Sequence, residues 1–254
     1  MLEIKISTSC LLLLAAFLAN AEEKTVKDLI AEAKGKLEAK NFEGAHAVAD
    51  KAIVRAEQDC KQAQTLNNAK ATNNAVFLHA MCYDLKAAIY LGSGDTKNAD
   101  TCFRKAQEIA IKQFENLQGG ENVLFLVLQP YVDFAEATKN YPLMEQLGRK
   151  IVAYSEKISG KESETTATYT LNLASALSNQ DKSKDARPLF EQALAAIEKS
   201  KDTDPGLLFH FLKEKADFHW KQKEFEQAVA LKLRGWDVLA KKYDINQKVF
   251  AELA

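Results

Sequence analysis

Proline is scarce, at 4 residues in 254, and glycine nearly so, at 10. With chain breakers this few and Ala, Leu, Lys, Glu and Gln in plenty, the composition reads as an all-α protein. No charge of one sign prevails: 34 Lys plus Arg stand against 35 Asp plus Glu, a formal net of -1. No global field then draws the chain to phosphate backbones or anionic lipid, which disfavours nucleic acid as a partner. Motifs are missing too. There is no G-x-G-x-x-G, no G-x-x-x-x-G-K-[ST], no H-E-x-x-H and no C-x-x-C, so neither a nucleotide loop nor a metal-binding pattern is present and no cofactor is expected. Gly92-Ser93-Gly94 ahead of Asp95 reads as a turn, because no Lys-Ser/Thr pair follows it.

Long apolar runs are also lacking. The one candidate, Cys10 to Leu18, is too short to span a bilayer. With Lys5 before it and Ala19-Asn20-Ala21 after it, the run has the layout of a secretory signal peptide cut after Ala21. An uncleaved amphipathic anchor is the weaker alternative, since the run is apolar all round. The expectation is a signal peptide at 1–21, one domain at 22–254, export to a periplasm or the extracellular space, and no stable membrane insertion after cleavage. Removing 1–21 leaves Cys60, Cys82 and Cys102. Their spacing fits no zinc motif, and three thiols allow one disulfide at most; small hydrophobes in helix packing is the preferred reading.

What the chain does have is a repeat. Taking Ala186 as an anchor, Ala228 lies 42 residues on and Met144 lies 42 back, while Ala99 and Ala45 fit with larger gaps. Twelve residues before each anchor stand Ala33, Ala87, Val132, Ala174 and Ala216; seven after stand Ala52, Ala106, Ile151, Ala193 and Gly235. Both columns are mostly small, which lets helices approach closely. A larger apolar column, sixteen before, holds Leu29, Tyr83, Leu128, Thr170 and Leu212. Asn41, Asp95 and Asn140 stand where a second helix begins and can accept from its free amides, and Asp181 fills that place in the fourth unit. Five hairpins follow, at about 25–39 with 42–58, 72–91 with 96–117, 122–138 with 141–158, 163–179 with 182–200, and 206–222 with 225–242. The gap around 59–71 implies either longer helices or a loop. Residues 123–128, Val-Leu-Phe-Leu-Val-Leu, read as a buried helix, since a lone strand would have no partner. The closing segment DINQKVFAELA, with Ile245, Val249, Phe250 and Leu253 on one side, reads as a capping helix.

This column pattern resembles the tetratricopeptide repeat. The fourth unit is the closest, with Leu171-Asn172-Leu173-Ala174 followed by Asp185-Ala186-Arg187-Pro188-Leu189-Phe190-Glu191-Gln192-Ala193. It is similar to the 42-residue, kinesin-light-chain type, where a proline in this place is usual. The third unit matches poorly, with Gly148 at a bulky position and Pro130 interrupting its first helix. Pro188 is expected in a first turn or at a slight bend. The resemblance implies a right-handed α-solenoid of helix pairs, no catalytic activity, and a concave groove that binds an unidentified protein or peptide.

Within that frame Asn172 and Ser175, with His210, Lys213, Asp217 and Trp220, are the candidate groove residues. Trp220 either lines the groove or packs beneath the capping segment. An alternative enzymatic reading rests on His210, Glu214 and Asp217, which share one helix face; nearby Lys213 and Lys215 crowd that face with positive charge and weigh against a metal. A third reading is a self-assembling structural protein.

Overall fold

The computed structural model describes residues 24–115, 117–200 and 203–243. The proposed signal peptide and the segment read as a capping helix lie outside the described residues. Among those described there are ten α-helices and no strand: α1 Val26–Glu38, α2 Phe42–Thr65, α3 Ala69–Gly92, α4 Thr96–Phe114, α5 Glu121–Ala137, α6 Tyr141–Ser159, α7 Glu164–Asn179, α8 Ser183–Lys199, α9 Pro205–Lys221 and α10 Phe225–Tyr243. The chain is all-α, as its composition implies. Val-Leu-Phe-Leu-Val-Leu lies within helix α5. The irregular gap after the first anchor is lengthened helix: α2 runs on to Thr65, and only Leu66 to Asn68 separate it from α3.

The helices form two compact units, one ending at Gln113 and the other beginning at Phe114. The first holds the two hairpins α1–α2 and α3–α4. Its core joins Val26, Leu29 and Ala33 of α1 to Ala45, Ala49, Ala52 and Ala56 of α2 and to Cys82, Leu85 and Ile89 of α3. The second holds the three hairpins α5–α6, α7–α8 and α9–α10. Ala174 and Leu177 of α7, Ala186, Phe190 and Ile197 of α8, and Phe211, Leu212 and Phe218 of α9 share one core there. Every residue of the anchor column and of both small columns is buried. Thr170, the polar lapse in the larger column, is 1% exposed and donates its hydroxyl to the Thr166 carbonyl at 2.8 Å, so no bond is left unmade.

The third hairpin departs from the small columns without breaking the packing. Val132, Met144 and Ile151 replace alanines, and the close approach moves to Gly148, where a Cβ would stand 3.3 Å from Leu173 Cδ1. What looked like a misplaced glycine is thus the contact of α6 with α7. Nor does either proline interrupt its helix. Pro130 is the tenth residue of α5 and Pro188 the sixth of α8, not in the first turn. Each frees the carbonyl four residues earlier, on Leu126 and Lys184, and both of those residues are exposed, so water can satisfy it.

All five hairpins turn in the same way. The first helix ends on one residue in the left-handed region: Lys40 (φ 56°), Gly94 (84°), Lys139 (52°), Asp181 (59°) and Lys223 (63°). The next amide then returns to a carbonyl five residues back, as in Asn41 to Lys36 (2.9 Å), Asp95 to Tyr90 (2.8 Å), Asn140 to Ala135 (2.9 Å), Lys182 to Leu177 (3.0 Å) and Glu224 to His219 (2.9 Å). Asn41, Asp95 and Asn140 cap the second helices as expected, accepting from Gly44, Asn98 and Leu143 at 2.9, 3.0 and 3.3 Å. Asp181 does not: it occupies the left-handed position, Lys182 stands at the cap without a side-chain bond, and the Asp181 carboxylate pairs with Lys221 at 3.0 Å.

Four of the five turns place a residue with a Cβ where glycine fits without steric cost. Lys139→Gly is therefore expected to raise stability by about 0.5–1 kcal/mol and Gly94→Ala to lower it by about as much. Urea unfolding midpoints of the two variants check both signs.

Candidate functional site

Helix α9 presents the surface to which the sequence points. Asp204 caps it, accepting from the Gly206 and Leu207 amides at 2.8 and 3.2 Å, and Pro205 occupies the first turn, where no amide is missed. Phe211, Leu212, Ala216 and Phe218 go to the core. His210, Lys213, Asp217 and Trp220, spaced three, four and three apart, are all exposed on the other side.

These candidates do not form a single cluster. Ser175 and Asn172 lie half-buried on α7. The Ser175 hydroxyl reaches α9 by donating to Glu214 Oε2 at 3.1 Å. Lys213 donates to Glu214 at 3.1 Å and to Asp217 at 3.2 Å, and both bonds hold its ammonium charged above the usual lysine range. Asp217 also meets Lys232 of α10 at 3.2 Å. Lys213, Asp217 and Lys232 border a depression of about 390 Å³ between α9 and α10, floored by Phe209, Leu231, Gly235 and Trp236. Trp220 is not core: it is 54% exposed, edge-on to Phe225 at 4.9 Å, with the Lys232 ammonium 5.7 Å from its ring. His210 is exposed, with its ring 6.3 Å from that of Phe211.

The proposed acid–base set fares less well. Both carboxylates, Glu214 and Asp217, are engaged with lysines, and no cluster of three His, Cys, Asp or Glu suited to a metal occurs among the described residues. Lys215 does not crowd this face. It is buried on the opposite side and pairs with Glu191 of α8 at 2.6 Å. Among the described residues Cys60, Cys82 and Cys102 are free and buried, and burial pushes the Cys82 thiol up to about 12, far from thiolate chemistry at neutral pH.

Two buried polar features escaped the sequence reading. His219 Nδ1 lies 2.5 Å from Glu224 Oε2, and Arg187 of α8 holds the same carboxylate with two bonds, at 2.6 and 3.1 Å. The clamp ties α8 to the α9–α10 turn. On α3, Asp84 is 7% exposed and neither carboxylate oxygen has a hydrogen-bond partner. Burial alone drives its carboxyl well above the usual carboxylate range.

With this geometry in view, residues 82–110, covering the second half of α3 and most of α4, match the tetratricopeptide repeat family model. The match falls on the second hairpin, which, like the fourth, has alanine in the anchor column and in both small columns. No curated protein matches the chain. Among solved structures, a putative kinesin light chain of Podosopora anserina with nearly identical TPR-like repeats is 16% identical, over 85% of this chain and 96% of its own, with a TM-score of 0.60. BtubC (BKLC) from P. vanneervenii is also 16% identical, over 88% of this chain and 94% of its own, with a TM-score of 0.56. Identity this low carries the fold alone. By fold, the chain is an all-α protein of tetratricopeptide-type helical hairpins.

Asp84 supplies a test by pH. The folded chain keeps a proton there that the unfolded chain releases near pH 3.9, so its contribution to stability is complete below that pH and drains away as pH rises toward the higher folded value. Asp84→Asn, neutral throughout, is expected to match the parent near pH 4 and to exceed it at pH 7 by at least about 1 kcal/mol. Denaturant unfolding at the two pH values measures the difference.

Proposed function

We propose that this chain is an exported helical-repeat scaffold that captures a protein or peptide on the exposed face of α9, and that its work is binding rather than catalysis. One observation carries the reading. A half-exposed tryptophan stands beside ordered, paired charges on a helix whose other face is locked into the core. Aromatic anchors beside charges that need no reordering are what binding surfaces use, because little side-chain freedom is lost on contact. The repeat fold supports the general assignment, since tetratricopeptide hairpins resemble protein-binding scaffolds. His210 and Lys213 extend the surface along α9, and Asn172 and Ser175 carry it onto α7. The partner is a polypeptide, and residues 1–21 serve as the leader that brings the mature chain to it.

Affinity capture with residues 22–254 from extracytoplasmic fractions tests this reading. A stoichiometric partner is expected, and Trp220→Ala with Lys213→Glu is expected to weaken its retention at least about tenfold, or 1.4 kcal/mol. Equal retention by the double variant would move binding away from α9. Amino-terminal sequencing of the exported chain is expected to begin at Glu22, and a retained Met1 would remove the export half of the proposal.

A further inference from the structure

Helix α3 borders a polar cleft that the repeat pattern does not explain. In the larger apolar column Leu29, Leu128, Thr170 and Leu212 are buried, whereas Tyr83 is only half-buried. Its side chain lines a depression of about 370 Å³ that lies wholly within the first unit. Helix α2 contributes Glu57, α3 His79 with Tyr83, and α4 Lys105, Glu108 and Lys112. A second depression, of about 430 Å³, shares Tyr83, Lys105 and Glu108 with the first and extends along α4 to Asp100 and Arg104. Both are of the size that small molecules occupy.

The polar groups of the cleft are unevenly engaged. Glu57 pairs with Lys61 at 3.0 Å and Glu108 with Lys105 at 3.4 Å, each on its own helix, while Asp100 accepts from Arg104 at 2.8 Å. Every carboxylate around the opening therefore has a cation. The donors do not fare alike: the Lys112 ammonium, the Tyr83 hydroxyl and the His79 ring make no hydrogen bond or ion pair among the described residues. Burial holds His79 below the ordinary histidine value against the pull of Glu57, so at neutral pH its ring is uncharged and presents one N–H. Three donors on one opening suit a carboxylate, whose two oxygens accept several bonds and whose charge strengthens each. Apolar surface lies beside them. The His79 and Tyr83 rings stand 5.5 Å apart with a tilt of 43°, and half-buried Ile109 lines the same depression.

We propose that this cleft is a binding site for a small organic acid, its carboxylate accepting from Lys112, His79 and Tyr83 and its apolar body lying against the two rings and Ile109. An inorganic anion has use for the donors but none for the apolar wall. An acidic side chain of a polypeptide offers the same carboxylate and is the competing source. The site belongs to the first unit and α9 to the second, so the inference stands whether or not α9 binds a partner.

Benzoate is the probe, and the His79 ring resonances of the full-length protein are the readout, assigned by their loss in His79→Gln. Saturable shifts are expected, with benzoate bound at least about tenfold tighter than benzamide, inorganic phosphate, or an acetylated and amidated Ala-Ala-Glu-Ala-Ala peptide. Lys112→Ala is expected to weaken benzoate about tenfold, and Tyr83→Phe, which keeps the ring and loses only the hydroxyl, about threefold. Lys97→Ala, exposed at the start of α4 and outside the cleft, is expected to leave binding unchanged. Benzamide or phosphate binding as tightly as benzoate would overturn the proposal, as would a peptide that matches it. A benzoate affinity indifferent to either Lys112→Ala or Tyr83→Phe would overturn it too.

Discussion

Everything in this fold depends on helix pairs that come close because alanine stands where they cross. Ala33, Ala87, Ala174 and Ala216 on the first helices, and Ala45, Ala52, Ala99, Ala106, Ala186, Ala193 and Ala228 on the second, are all buried with no measurable exposure. A side chain with no atoms beyond Cβ lets two backbones close up, and close backbones bring the larger residues beside them, such as Leu171, Phe190, Ile197 and Leu212, into dense contact. The third hairpin supports the argument from the other direction. Where Val132, Met144 and Ile151 fill the small columns, the chain has found another contact without a side chain, at Gly148.

Between hairpins the ties are polar and recur at about the length of one repeat. Gln180 donates to the Tyr141 carbonyl at 3.0 Å, Lys182 meets Glu145 at 2.5 Å, Arg187 meets Glu224 at 2.6 Å, and Lys221 meets Asp181 at 3.0 Å. Exposed pairs of this kind contribute little to stability one by one. Their value lies in register: each joins a residue to its neighbour one repeat away, so a slipped hairpin would lose all of its ties at once.

The fold was largely legible because the small columns report on backbone proximity directly. Five hairpins, three caps and the helical reading of Val-Leu-Phe-Leu-Val-Leu followed from spacing alone. Less visible were effects set by solvent. Pro130 and Pro188 looked disruptive, yet the carbonyls they free belong to exposed residues, and exposure cannot be read from one helix in isolation. The surface of α9 was legible as a face but not in its use. His210, Lys213, Asp217 and Trp220 share a side by periodicity, yet only packing reveals that Glu214 turns to Ser175 while Asp217 turns to Lys232. Asp84, within Cys-Tyr-Asp-Leu-Lys, carried no signal of burial, because its flanking residues alternate between buried and half-buried.

The central claim is that alanine at the crossings, rather than helix propensity or surface charge, sets this architecture. Urea unfolding of Ala174→Leu and Ala186→Leu, beside Ala195→Leu on the exposed side of α8, measures it most directly. Leucine at the two crossings is expected to cost about 1–3 kcal/mol each, while the exposed substitution stays within about 0.5 kcal/mol of the parent. Equal tolerance of leucine at all three positions would contradict the account.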